Sequence, residues 1–224
     1  MSSNSIIYPQ TKHYYLKLGK NTSQFRNDGT SRGDGIVVGA GLDYSANDRP
    51  FINGFANLEV LYSYKQAVVE NKIWPANSTM ESDYIIGNIN SAIGCLELPI
   101  KIGYFTTIGK RAKFKLFTGL SASVPIVNKT STTVKDIIFY WPEKKKLKVD
   151  YELVELDHSE NQLFNIIENI SKTSLSFNLG TVLSYSFINI ELRYAYAISE
   201  TKDFISLSIH DKVDTFYMLL GIEF

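Results

Sequence analysis

The chain has 224 residues, with 23 basic and 23 acidic side chains and therefore no formal net charge. That balance excludes the sequence-independent attraction that holds a protein on nucleic acid. One cysteine and three scattered histidines exclude an internal disulfide framework, a cysteine-rich zinc site and any metal-ligand spacing, and no apolar run of about 18 residues is present to form a transmembrane helix.

Taken in chain order, the dominant signal is period-2 alternation, the pattern of half-buried strands. Residues 1–11 read as an N-terminal extension. They hold neither a basic n-region nor an apolar h-region, so the chain is either cytosolic or a mature sequence whose signal peptide has been removed; on the membrane-barrel reading below, the second is expected and 1–11 is periplasmic. In 13–19, Tyr14, Leu16 and Leu18 oppose Lys17 and Gly19. In 35–44, Val38, Ala40, Leu42 and Tyr44 oppose Gly39, Gly41 and Asp43. In 54–68, Leu58, Val60, Tyr62 and Tyr64 oppose Asn57, Glu59, Ser63 and Lys65. In 95–105, Leu96, Leu98, Ile100, Ile102 and Tyr104 oppose Glu97, Pro99, Lys101 and Gly103. Segment 112–126 sets Phe114, Leu116, Leu120, Val124 and Ile126 against Lys113, Lys115, Gly119, Ser121 and Ser123.

The next connection, 128–172, is the longest. Residues 135–141 and 146–156 suit a hairpin around 142–146, whose run Lys144–Lys146 reads as a solvated tip. Leu163, Ile166, Ile167 and Ile170 in 160–171 have helical spacing. Segment 175–185 resumes the alternation. In 188–198, Ile188, Ile190, Leu192, Tyr194, Tyr196 and Ile198 oppose Asn189, Glu191, Arg193, Ala195 and Ala197. The chain closes on Phe216, Met218, Leu220, Ile222 and Phe224, alternating with Tyr217, Leu219, Gly221 and Glu223. Eight strands result. Short turns at 108–111 and near Ser186 alternate with long connections at 69–90, 128–172 and 199–212.

Eight antiparallel strands must close or be covered. A soluble barrel turns its apolar face inward, whereas a membrane barrel turns it to lipid. Glycines 19, 39, 41, 103, 119, 180 and 221 fall in the polar phase. The lumen of eight strands is just wide enough for side chains, so small residues belong inside. The charges of that phase nearly balance, as buried charges must. Glu59, Glu97, Lys101, Glu191 and Arg193 are expected to form a lumen ion-pair network, with a proton or ion path as the lesser alternative. In the apolar phase, Tyr14, Tyr44, Tyr104 and Tyr185 fall at one end of the strands and Tyr62, Tyr64, Tyr194 and Tyr196 at the other. Two aromatic girdles are expected from them.

The segments 35–43, 58–63 (Leu-Glu-Val-Leu-Tyr-Ser), 96–101 (Leu-Glu-Leu-Pro-Ile-Lys), 117–121 and 192–196 (Leu-Arg-Tyr-Ala-Tyr) together resemble the small outer-membrane β-barrel family of Bacteroidota type, the PorT-like and OmpX-like eight-stranded barrels. The resemblance covers 12–224 apart from 128–172. It implies an all-β, eight-stranded antiparallel up-and-down transmembrane barrel in a single domain spanning 1–224, with 128–172 as an extracellular loop. It implies location in the outer membrane and a terminal aromatic, Phe224, read by the barrel assembly machinery. The expected partners are outer-membrane lipid, that machinery and other outer-membrane or surface proteins, with no nucleic acid and no cofactor.

No catalytic constellation is visible. Asp157-His158-Ser159 are consecutive and cannot form a triad by themselves, and Cys95 has no histidine nearby in sequence. The expected function is binding or scaffolding at the cell surface. The alternative is a soluble lipocalin-like ligand-binding barrel, and an outer-membrane enzyme ranks third.

Overall fold

The computed structural model describes residues 10–26, 31–47, 53–75, 84–109, 111–138, 173–199 and 212–224. The strands are β1 (Gln10–Phe25), β2 (Ser31–Asn47), β3 (Asn53–Pro75), β4 (Tyr84–Ile108), β5 (Ala112–Ile138), β6 (Ser174–Tyr185), β7 (Ile188–Ala197) and β8 (Val213–Glu223). Each pairs antiparallel with the next, and β8 returns to β1, giving a closed barrel. The alternation thus produces the all-β, eight-stranded antiparallel barrel that it leads one to expect.

The register can be followed around the wall. His13 pairs with Asp43, then come Asn57, Lys101, Gly119, Asn178, Ala195 and Thr215, and the circuit re-enters β1 at Ser23. This offset of ten residues along β1 is the stagger that tilts strands in a closed sheet. The turns at one end are tight. Gly109 at φ 66° carries the chain from β4 to β5, and Ser186 at φ 57° from β6 to β7. Left-handed backbone suits glycine there and costs serine a little.

The first five strands are longer than the alternation indicates: β1 and β2 span Gln10–Phe25 and Ser31–Asn47 where 13–19 and 35–44 are expected, so residues 10 and 11 of the expected N-terminal extension belong to β1. β3 has 23 residues, β4 has 25 and β5 has 27. Residues 69–75, 84–90 and 128–138 are therefore strand rather than connection, paired for example as Val69 with Ile89 and Ser91 with Thr130. The reason lies in composition. The stretch from Asn128 to Asp136 is rich in β-formers but polar in both phases, so no apolar alternation marks it. Lys135–Ile138 of the expected hairpin belong to β5. The rest of that hairpin, the helix at 160–171, the Lys144–Lys146 tip, the Asp157-His158-Ser159 segment and residues 1–9 lie outside the described residues.

The pleat sorts the side chains cleanly. Leu16, Leu18, Ile100, Ile102, Leu116, Leu120, Leu179, Leu192, Met218 and Leu220 are all exposed on the outside, while Glu59, Glu191 and Arg193 are at most 1% exposed inside. The inner phase is not purely polar. Val37, Leu61, Ala195, Tyr217 and Leu219 form one buried apolar cluster, and Phe55, Phe117 and Val182 another.

Glycines make room for these rings. A Cβ on Gly41 would collide with the Tyr15 ring, and one on Gly180 would lie 2.5 Å from Phe117 Cζ. A bare backbone opposite Tyr15 and Phe117 is what lets so narrow a lumen hold their rings.

Candidate functional site

The inward phase of β1, β3, β4 and β7 converges on Glu59. Its Oε1 accepts hydrogen bonds from Lys17 Nζ at 2.5 Å, Lys101 Nζ at 2.5 Å and the Tyr15 hydroxyl at 2.6 Å. Its Oε2 accepts from Arg193 Nη1 at 3.1 Å. Glu191 accepts from Lys101 at 3.1 Å to each oxygen and from Lys17, and its Oε1 lies 3.7 Å from Arg193 Nε. Three cations thus share two carboxylates in a buried cage. Aromatic faces add to it: Lys101 lies 4.7 Å from the Phe117 ring centroid and Arg193 4.3 Å from that of Tyr217.

Two side branches extend the cage. Above it, Tyr217 donates to both Glu97 oxygens at 2.9 and 3.0 Å, and Lys65 lies 2.7 Å from Glu97. Below it, Lys115 pairs with Asp43, and Asn57 donates to both Asp43 and the Tyr15 hydroxyl.

Of the five residues expected in one network, Glu59, Lys101, Glu191 and Arg193 meet directly. Glu97 instead stands with Lys65 and Tyr217. Tyr15, Asn57 and Tyr217 enter the network without any charge to advertise them. A signal existed in their parity, since each occupies the inward phase of its strand.

The space left over is small. Among the described residues, a cavity of about 10 Å³ lies between Lys17, Lys101, Lys115, Asp43, Asn57 and Glu191. That is room for about one water molecule. The cage can hold the wall together, and this cavity within it admits nothing larger than water.

The outer face carries the tyrosines. Tyr14, Tyr104 and Tyr185 are exposed at the turn end, and Tyr194 and Tyr196 at the other. Tyr44 and Tyr64 are half-buried. Tyr62 and Tyr64 do not stand at the upper end of β3 as expected. They sit mid-strand, because β3 runs on to Pro75. Phe224 is 72% exposed and its amide donates to the Tyr14 carbonyl at 2.8 Å, which pins the last residue to β1.

A second polar cluster lies beyond the apolar band, above Phe216. Arg26 pairs with Asp214, donates to the Ala197 carbonyl at 3.0 Å and lies 3.8 Å from the Tyr196 ring centroid. Asp214 also accepts from the Ala197 amide at 2.9 Å and from the Tyr194 hydroxyl at 3.2 Å. This latch ties β1 to β7 and β8.

Burial pushes the Asp214 carboxyl up, but the Arg26 and Ala197 hydrogen bonds, the Arg26 charge and the Tyr194 hydroxyl outweigh it, so the group sits below its usual value. A depressed carboxyl stabilises the fold fully above the ordinary aspartate pKa of about 3.9 and loses that contribution as pH falls through the lower folded value. The melting temperature of the native chain should therefore exceed that of Asp214→Asn from pH 7 to about pH 4. The two should converge below that range. A constant difference down to pH 2 would show that Asp214 acts without its charge.

No family model matches the chain, and no curated protein matches it. Among solved structures, Ail, the attachment invasion locus protein of Yersinia pestis, aligns with it in complex with the heparin analogue sucrose octasulfate. That alignment has 14% identity and a TM-score of 0.39, and covers 95% of this chain and 99% of that one. A second structure of Ail aligns at 14% identity with a TM-score of 0.38, over 95% of this chain and 98% of that one.

Proposed function

We propose that this chain is an outer-membrane barrel of the PorT-like and OmpX-like kind that serves as a binding or scaffold protein at the cell surface and catalyses no reaction. The observation that carries the membrane reading is the inverted sorting of side chains. Charges fill the interior, and the outward faces of β4, β6, β7 and β8 between the tyrosines carry none. On β7 this face runs from Ile188 to Ile198, a length that suits a tilted strand crossing a bilayer. A lipocalin-like barrel would need the opposite arrangement.

The binding role is supported by the extensions of β3, β4 and β5. The pairing of β5 with β6 ends at Ser123 and that of β2 with β3 at Val68. Among the described residues, 124–138 on one side and 69–75 on the other therefore offer strand edges without a strand partner. Open edges pair with extended segments of other chains. In this reading the strand edges and the segment 139–172 face the outside of the cell, residues 1–9 belong to the periplasmic side, and outer-membrane lipid surrounds the tyrosine girdles. The assembly machinery reads Phe224, and other surface or outer-membrane proteins occupy the edges.

The purified chain should require detergent and should migrate faster on a denaturing gel before boiling than after. A monodisperse, detergent-free monomer would overturn the membrane reading. A protease site placed within 139–172 should be cut in intact cells. Protection there would reverse the orientation.

A further inference from the structure

On β1 the outward face changes character above Leu18. Lys20 pairs across the sheet with Ile36 on one side and Met218 on the other, at the top of the apolar band. Above it, Gln24, Arg26, Arg32, Tyr194, Asp214 and Phe216 line a groove of about 430 Å³ on the outside of the barrel. Phe216 and Tyr194 supply its apolar surface and the others its polar one.

The charges in and around this groove are unevenly satisfied. Arg26 and Asp214 occupy each other, and Asp34 accepts the Thr22 hydroxyl at 2.9 Å. Arg32 is exposed and holds Gln24 at 3.4 Å, a long contact. Among the described residues, neither Arg32 nor the exposed Lys20 has a carboxylate partner. A lysine flanked by Ile36 and Met218 within an apolar band carries its ammonium along its own side chain towards the nearest polar zone, and on β1 that zone is the groove.

We infer that this groove takes the phosphate-bearing headgroup of a lipid in the leaflet at the long-strand end of the barrel. Lys20 and Arg32 hold the phosphate, and the acyl chains descend along Leu18, Ile36 and Met218. Lys20 pairs with Ile36, four residues along β2 from Arg32, a separation of roughly 13 Å that two long side chains extended towards each other can close on one phosphate. A lipid is favoured over a protein partner because the apolar strip runs without interruption from the groove down the barrel wall. The inference rests on the membrane reading above.

The test uses the full chain in nanodiscs holding equal amounts of phosphatidylglycerol and phosphatidylcholine, followed by native mass spectrometry of the lipids it retains. The native chain should retain phosphatidylglycerol preferentially. The double variant Lys20→Gln, Arg32→Gln should lose that preference by about thirtyfold, as expected for two basic groups near a lipid phosphate. Arg111→Gln, at the turn end, should keep it. Unboiled gel mobility confirms that each variant is folded.

Equal retention of both lipids by the native chain would overturn the proposal, as would a preference that survives in the double variant. Displacement of the lipid by excess inorganic phosphate would also defeat it, by assigning the site to the free anion. Failure of the membrane reading is distinguishable, because the chain would then stay outside the nanodisc and retain neither lipid.

Discussion

Changing Glu59 to alanine is expected to destabilise the barrel by about 3–5 kcal/mol, the usual cost of leaving buried charge without its partner. The reason is stoichiometric. Glu59 and Glu191 together hold Lys17, Lys101 and Arg193, so losing Glu59 leaves three cations facing one carboxylate. Arg193→Ala leaves two lysines with two carboxylates and should cost less, mostly through the cavity over Tyr217. Combining Glu59→Ala with Lys101→Met should recover part of the loss, so the double variant is more stable than the sum of the single effects. Urea titration of unboiled gel mobility in lipid vesicles measures these three variants together with Lys101→Met alone, which closes the cycle. Additive losses, or an Arg193→Ala variant less stable than Glu59→Ala, would mean that charge balance does not govern the cage.

The second large effect concerns the opposite face. Leu192 lies midway along the outward row of β7, between Ile188 and Ile198. Leu192→Arg should cost about 2–4 kcal/mol in a bilayer, the penalty for arginine near its midplane. Ala195→Ser, three residues on and facing inward at 4% exposure, should cost far less. In a barrel whose outside meets water, Leu192→Arg would be harmless. Refolding yield and urea midpoint in vesicles decide between the two, and equal effects of the substitutions would contradict the assignment of faces.

The fold was legible in this sequence because alternation is strong wherever one phase is apolar and the other is not. Residues 188–198 show this best, and β7 coincides with their expected extent almost residue for residue. The same signal fails where both phases are polar. That is why the alternation stops at Ile126 although β5 continues to Ile138, with the hairpin strand expected at 135–141 marking only its last residues. The cage was legible in part for a related reason. Charges in the inward phase of a narrow barrel have to meet, but parity alone does not say at what height. Glu97 and Lys101 are four residues apart on one strand, and the stagger delivers them to different partners. The alternation places Asn57 and Tyr217 in the inward phase, but nothing in it joins them or Tyr15 to the network, because uncharged groups need no neutralising partner.

The seam between β1 and β8 has a consequence for the order of events during assembly. It joins Tyr15 to Glu223, residues from opposite ends of the described chain. Every other junction in the wall links strands adjacent in sequence, so seven of them can zip as hairpins while this one waits for the final strand. Contacts of such separation form late. Until then β1 and β7 each present a full row of unsatisfied backbone groups, which hydrocarbon does not tolerate. On the membrane reading proposed above, a sheet with both edges open would not enter the bilayer strand by strand, and its first strand would need a temporary neighbour until β8 arrives. The Arg26–Asp214 latch spans this same seam, so it fastens only when the circuit is complete.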